Sequence, residues 1–260
     1  MVSNEGGDTM RSTDAVAKPW PKSRIPKASS LLANDLRNDI LRRKLPSGTN
    51  FPGESELIDT TGYSRATVRE ALRLLESEGL IVTRRGPQGG IQVSRPDVNQ
   101  STRSMAVLLA LSDATLRELF EFRCVVEPQA ARLAASAATP EQIAGMVRAT
   151  AEDLGPLDSV VSFHDLIAEA CGNEFYRVTV KVILEIAAWH TPEEGLDSAD
   201  LHGAHAAHRR VVEHIAAGRG DRAASAMEKH LRAFEAVVDS RGNLDATVLR
   251  AGDWPPRVAR

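Results

Sequence analysis

The histidines of this chain all lie in its second part, where several of them could bind a metal ion. The seven positions are His164, His190, His202, His205, His208, His214 and His230. Three imidazoles can hold a divalent metal and leave coordination positions open to another ligand. The HxxHxxH spacing over 202–208 by itself suggests such a site. A histidine-rich, exposed helix start explains its first two members at least as well.

Arginines form a second pattern, in the first part of the chain. Arg65, Arg69 and Arg73 are spaced by four residues, so a helix through them carries all three along one stripe. Guanidinium groups bind DNA phosphates and the O6/N7 edge of guanine. The stripe therefore indicates a DNA-contacting surface. The alternative is that the arginines are solvated or pair with nearby glutamates: Glu70, Glu76 and Glu78.

Charge is distributed unevenly along the chain. Residues 21–95 contain 13 Lys and Arg against 8 Asp and Glu, whereas residues 96–260 contain 17 against 24. A basic first part and an acidic second part fit a nucleic-acid contact in the first part only. The two patterns of candidate residues thus belong to regions of opposite charge.

Length and composition predict two mostly helical domains. The 260 residues exceed the roughly 100–150 of a typical domain, and 42% are apolar while only 4% are aromatic. No apolar run reaches the roughly 18 residues of a membrane span, and the start lacks the apolar core of a secretion signal. Cys124 and Cys171 lie in apolar helical patterns, which predicts reduced thiols in a cytoplasm and no disulfide.

Residues 29–95 have the pattern of three helices and a β-hairpin. Apolar residues recur at helical spacing up to LPSG, the helix ESELIDTT follows the turn FPG, and Ser64 caps the helix SRATVREALRLLESEG. The β-prone runs LIVT and IQVS flank a turn rich in Gly and Pro, which predicts the hairpin. Residues 1–28 are polar and predict a disordered arm. The pattern predicts a winged helix-turn-helix.

Several motifs occur in order within FPGESELIDTTGYSRATVREALRLLESEGLIVTRRGPQGGIQV. They are a turn with Pro52 and Glu54, a Gly-x-Ser-Arg helix start, a Val-Arg-Glu-Ala-Leu core, a Leu-Glu-x-x-Gly-Leu exit and a glycine wing. This set resembles the DNA-binding domain of the GntR family of bacterial transcription regulators. The resemblance implies that Arg65, Thr67 and Arg69 contact the operator.

The same resemblance assigns further residues to the DNA contact. Ser64 begins the recognition helix, and Arg85 with Gly86 matches the tip of the wing, where a small residue lets the backbone approach the minor groove. Ser55 departs from the family, in which an arginine or similar residue at this position often contacts DNA. A dimer that reads an inverted repeat in double-stranded DNA is the expected arrangement.

The second part has only helical patterns. We predict a linker at 96–102, a helical domain at 103–240 and a flexible tail at 241–260. Thr139, Pro140 and Gln142 predict a capped helix start. The stretches LRELFEFRCVVEPQAARLAA, SFHDLIAEACGN and HRRVVEHIAAGRGDRAASAMEKHL resemble the all-α effector-binding domain called FCD, which defines the FadR subfamily. The fold class is therefore mainly α, with one small hairpin.

In many FCD domains, histidines matching His164, His208 and His230 bind a metal together with an aspartate one turn before the first of them. Val160 occupies that position here, and Asp158 lies about 200° around the helix from it. Three interpretations stay open. The histidines hold Zn, Ni, Mn or Fe, they bind an anionic effector without metal, or they are ordinary core residues.

Arg123 matches a family arginine that faces the central pocket in some members, which implies recognition of a small organic acid. The alternative is an ion pair with Glu127, one turn further along the helix. We interpret the chain as a cytoplasmic, homodimeric repressor whose operator affinity depends on such an effector. A metal-dependent hydrolase that uses the histidines and a constitutive DNA binder with a vestigial pocket are the alternative functions.

Overall fold

The structure is a computed structural model. It describes residues 26–84, 86, 89–96, 98–150, 156–188 and 198–248, without the side chains of 156–162 and 198–202. The chain divides into two compact units between Arg95 and Pro96. Nearly all of the predicted arm, residues 1–25, lies outside the described residues.

The first unit contains three helices and a small sheet. The elements are α1 (Ala28–Arg42), β1 (Asn50–Phe51), α2 (Glu54–Thr61), α3 (Arg65–Ser77), β2 (Ile81–Arg84) and β3 (Gly90–Val93). The strands are antiparallel in the order β1-β3-β2. This is the winged helix-turn-helix that the sequence predicts, with β1 added to the hairpin. A strand of two residues is too short to show a period, so the sequence pattern did not indicate it.

The apolar face of α3 forms the centre of this unit. Val68, Ala71, Leu72 and Leu75 are buried, as their helical spacing predicts. They belong to one core with residues of α1, α2 and the sheet, including Leu32. Burying each large side chain of this kind stabilises the fold by about 1.5–3 kcal/mol. The opposite face of α3 is left to the solvent.

Polar contacts hold both ends of α3. Ser64 caps the start, and its side chain accepts a hydrogen bond from the Thr67 backbone N–H at 3.2 Å. Near the end, Arg37 of α1 donates to Glu78 at 2.8 Å. The Glu76 carboxylate accepts from the Thr83 backbone N–H of β2 at 3.1 Å. These contacts fix the orientation of α3 relative to α1 and the wing.

The second unit is helical. Its elements are α4 (Val98–Leu111), α5 (Leu116–Ala137), α6 (Pro140–Ala149), α7 (Pro156–Ala170), α8 (Glu174–Ala188), α9 (Ser198–Ala216) and α10 (Gly220–Ser240). The capped start predicted at Thr139 is present as a capping box with Gln142. Residues 98–102, which we predicted as linker, form the start of α4. Four of these five side chains are polar, so the sequence shows no apolar helical period there. Every described helix is too short or too polar to span a bilayer.

Helix α5 is the central helix of this unit. Its Ala130, Ala131 and Ala134 are fully buried in a core shared with α7, α9 and α10. Alanine side chains allow neighbouring helices to approach closely. At Gly220, the first residue of α10, an added Cβ would lie only 3.0 Å from the Arg132 carbonyl oxygen of α5. The close packing brings residues of four helices into one interior.

The segment after α10 packs against the start of α5. Leu244 and Val248 are buried, and the Leu116 backbone N–H donates to the Ala246 carbonyl at 3.0 Å. Arg117 also donates to Asp245 at 2.9 Å. The predicted flexible tail is therefore corrected for residues 241–248, since two apolar side chains suffice to anchor a segment that has no period. Residues 249–260 lie outside the described residues.

Candidate functional site

The arginine stripe of α3 lies on the exposed face of the first unit. Arg65 is exposed, and the side chains of Arg69 and Arg73 are 55% and 68% exposed. The helix thus buries one face in the core and presents cations on the other. This arrangement suits a helix that enters the major groove of DNA.

The neighbouring carboxylates leave this cationic face largely available. Glu76 and Glu78 make their contacts with Thr83 and Arg37, as described above. Arg73 is 3.8 Å from Glu70, and Arg69 is 3.6 Å from Glu54 of α2. Exposed pairs at such distances are worth about 0–1 kcal/mol, so a phosphate or base could displace them.

The remaining predicted DNA-contacting residues surround the start of α3 and the wing. Thr67 is half-buried, and its hydroxyl lies 2.9 Å from that of Ser64. Gly86 is exposed in the wing with a φ of +117°, a conformation that favours glycine. Ser55 is exposed in the first turn of α2. Arg85 lies outside the described residues.

The second candidate site is a buried cluster of three histidines. His164 of α7, His208 of α9 and His230 of α10 are 2%, 0% and 7% exposed. The Nε2 atoms of His208 and His230 are 3.0 Å apart, and those of His230 and His164 are 3.4 Å apart. Three helices thus direct one ring nitrogen each toward a common point.

Burial favours the neutral form of His208 and His230. The pKa of His208 is far below its usual value, because burial penalises the charged ring and the neighbouring imidazoles add repulsion. Burial, followed by His164 and Arg123, lowers the pKa of His230 to about 3. Neutral rings keep a nitrogen lone pair, which is the form that binds metal.

A carboxylate and a guanidinium lie behind His164. Glu127 of α5 is 2% exposed, and its Oε2 contacts Nδ1 of His164. Its other oxygen, Oε1, accepts a hydrogen bond from Arg123 Nε at 2.5 Å. Burial opposes ionisation of Glu127, but Arg123 and His164 together outweigh it and hold the pKa of the carboxyl well below its usual range. The ion pair that we considered for Arg123 is therefore present.

The donors fit a divalent transition metal. Their nitrogens lie within 4.8 Å of one another. Tetrahedral zinc with Zn–N bonds of about 2.0–2.1 Å places its nitrogens about 3.3 Å apart. The two Nε2–Nε2 distances given above are close to this value. Imidazole suits Zn, Ni and Fe, and three ligands leave positions for other groups. The side chains of Val160 and Asp158 lie outside the described residues, so within the described part of the chain the cluster consists of the histidines alone.

Both units match families of known proteins. Residues 29–93 match the family described as bacterial regulatory proteins, gntR family. Residues 118–233 match the FCD domain. The chain is a GntR family regulator with a C-terminal FCD domain. Because membership makes it a transcription regulator and not an enzyme, the hydrolase alternative is set aside.

Relatives of this regulator cover nearly its whole length. The HTH-type transcriptional repressor NanR of Salmonella typhimurium strain LT2 is 27% identical over 259 residues, which span 90% of this chain and 97% of the repressor. NanR of Salmonella schwarzengrund matches to the same extent. The solved structure of Streptococcus agalactiae GntR is 25% identical with a TM-score of 0.66, covering 79% of this chain and 98% of that one.

Sequence reasoning did not predict that two further residues of the regulator's second unit lie beside the histidine cluster. Glu127 entered only as an ion-pair partner of Arg123, although it also contacts His164. For His205, the sequence favoured an exposed position at least as much as a place in a metal site. The residue is 7% exposed, and its ring centre lies 6.3 Å from that of His208. The three-residue spacing from His208 was the available signal, but burial depends on the neighbouring helices.

Proposed function

We propose that this regulator is a repressor whose operator affinity is controlled by a small carboxylate bound through a metal ion in the FCD domain. The observation that carries the proposal is the convergence of three buried imidazoles in the regulatory domain. Repression is supported by the similarity to NanR, which is named a transcriptional repressor. A cytoplasmic location follows from a target on the chromosome.

In this proposal the first unit reads the operator. Arg65, Thr67 and Arg69 enter the major groove, where arginine donates to guanine O6 and N7. Ser64 lies beside the backbone phosphates at the positive end of α3. Arg85 and Gly86 belong to the wing, which approaches the minor groove. The exposed cationic face of α3 supports these assignments.

A homodimer reads two half-sites arranged as an inverted repeat. One winged helix has a small contact area, and pairing two of them on one duplex multiplies their affinity. Exposed apolar side chains in the second unit support association with a second copy: Leu108 is 67%, Leu111 is 79% and Val125 is 71% exposed. Such side chains are better covered by protein than by water.

A metal held by the three histidines would leave coordination positions open for the carboxylate of the effector. His164, His208 and His230 would ligate Zn, Ni, Mn or Fe, which supplies a Lewis acid for an anionic carboxylate. Arg123 stays a predicted effector contact, but its Nε already donates to Glu127. The open positions of the metal are therefore the better supported place for the effector carboxylate.

Control of DNA binding then follows from linkage. An effector that binds one arrangement of the regulator more tightly than another shifts the equilibrium between them by its difference in affinity. A coupling of about 1–3 kcal/mol changes operator affinity by about 5–150-fold. The effector thus needs no contact with DNA to release the repressor.

The test begins by selecting operator sequences from a random DNA library with the full chain. We expect an inverted repeat. Anisotropy titrations of the selected duplex, with and without Zn²⁺, are then repeated in the presence of acetate, succinate, citrate and larger organic acids. At least one acid should weaken operator binding only when the metal is present. Operator affinity that no acid changes would support the constitutive DNA binder instead.

A further inference from the structure

Glu127 joins the arginine of α5 to the histidine cluster. Its Oε1 accepts a hydrogen bond from Arg123 Nε at 2.5 Å, and its Oε2 contacts Nδ1 of His164 on α7. Both partners are buried, as Glu127 itself is. A buried carboxylate costs free energy unless it is paired, and here Oε1 faces the guanidinium and Oε2 faces the imidazole.

The contact favours one of the two ring nitrogens of His164 as the site of its proton. A neutral imidazole has one N–H donor and one acceptor nitrogen. An ionised carboxylate only accepts, so an oxygen this close to Nδ1 favours the proton on that nitrogen. The lone pair of His164 is then on Nε2, and this atom is 3.4 Å from Nε2 of His230. The geometry therefore prepares His164 as a ligand.

We propose that Glu127 is a positioning residue of the metal centre, which holds His164 in the tautomer and orientation that bind the metal. This inference rests on the proposed metal site. Arg123 holds the carboxylate in place and balances its charge. Arg123 accordingly serves the metal centre through Glu127.

The physical effect on the metal is twofold. A fixed ring loses no rotational freedom when the ion binds, and a negative charge behind the ring makes Nε2 a stronger donor. Outer partners of this kind typically contribute about 10–100-fold to metal affinity. The missing carboxylate ligand at Val160 makes this contribution more important, because the three imidazoles supply no charge of their own.

The test compares Glu127→Gln with the wild-type chain and with Glu121→Gln. The glutamine side chain has nearly the shape of the glutamate without its charge, and Glu121 is an exposed carboxylate on the same helix. Zn²⁺ affinity is measured in competition with a chromogenic chelator. We expect affinity about 10–100-fold weaker for Glu127→Gln and unchanged for Glu121→Gln.

A second readout separates positioning from general damage. In the metal-free protein labelled with ¹⁵N-histidine, NMR reports the tautomer of each ring. We expect His164 protonated at Nδ1 in the wild type and in Glu121→Gln, and a mixture of tautomers in Glu127→Gln, whose amide can also donate. Circular dichroism verifies that the helices are retained.

A double variant keeps the test decisive if a lone Arg123 prevents folding. Arg123→Met with Glu127→Gln removes both charges at similar volume, and we expect the same weak Zn²⁺ binding. Wild-type Zn²⁺ affinity in Glu127→Gln, or an unchanged tautomer of His164, would overturn the inference and leave the proposed function intact. A wild-type chain that binds no Zn²⁺ would instead overturn the metal centre of the proposed function, and with it the role of Glu127.

Discussion

The recognition helix and the histidine cluster both act through side-chain nitrogen atoms, but these nitrogens have opposite surroundings. The arginines of α3 are exposed, charged and free to exchange weak carboxylate partners for DNA. The histidines are buried and are brought together by the packing of three helices. A surface that binds a large partner keeps its charged groups in water, whereas a site for a small ion buries its ligand atoms.

This difference explains how each site responds to substitution. On α3 each arginine is expected to contact its own base or phosphate, so the loss of one leaves the DNA contacts of the others in place. In the cluster every nitrogen depends on the position of the other two. Additive losses are therefore expected on the recognition helix and an all-or-none loss in the metal site.

The largest effect should come from removing two ligands of the cluster. We expect His208→Ala with His230→Ala to lower the bound metal from about one ion per chain to none, since one imidazole cannot hold a divalent ion against water. Elemental analysis of the untagged protein measures this. His214→Ala, a half-buried histidine outside the cluster, is the control and should keep its metal. Equal metal in both variants would place the ion elsewhere.

The recognition helix should show smaller, separable losses. Arg65→Ala and Arg69→Ala should each weaken operator binding by about 1–3 kcal/mol, the worth of a good base contact. Arg73→Ala should cost less and act equally on all sequences, as a phosphate contact does. Anisotropy titrations at several salt concentrations measure both quantities. A loss for Arg73 as large and as sequence-dependent as that for Arg65 would contradict this order.

Mild acid should lower the stability of the metal-free protein through the buried histidine cluster. In the folded chain His230 has a pKa of about 3, whereas an unfolded histidine titrates near 6.5. Below pH 6.5 the unfolded chain therefore binds a proton at this residue that the folded chain does not bind. Unfolding free energy of the metal-free protein should thus fall by about 2 kcal/mol from pH 7 to pH 5 through this residue.

Urea titrations in the presence of a chelator measure this dependence. His230→Gln removes the titrating ring and should reduce the decrease by the same amount. An undiminished decrease in that variant would mean that other groups cause it.

The smallest expected effect concerns the start of the recognition helix. Ser64→Ala removes the side-chain acceptor for the Thr67 N–H and should lower the unfolding free energy of the first unit by about 1 kcal/mol. Ser64→Asp keeps an acceptor and should retain the stability while its negative charge weakens DNA binding. Thermal unfolding and operator titration separate the two roles. Unchanged stability in Ser64→Ala would contradict the cap.

Much of the first unit could be predicted from the sequence, because its signals are local. The cap at Ser64, the buried face from Val68 to Leu75 and the arginine stripe all follow from helical spacing within a few residues. The sequence did not predict strand β1, because this strand is defined only by the pairing of Asn50 and Phe51 with β3. Propensity says little about so short a segment.

In the second unit the sequence alone determined the helical character, the capped start at Thr139 and, through resemblance to a family, the identity of three histidines. Only the tertiary structure decided that their nitrogens meet, that Glu127 lies behind His164, that His205 is buried and that the segment around Leu244 packs on α5. Helical spacing is a property of neighbouring residues and can be read from them. Convergence of residues 22 and 66 positions apart depends on the packing of whole helices, which no local pattern records.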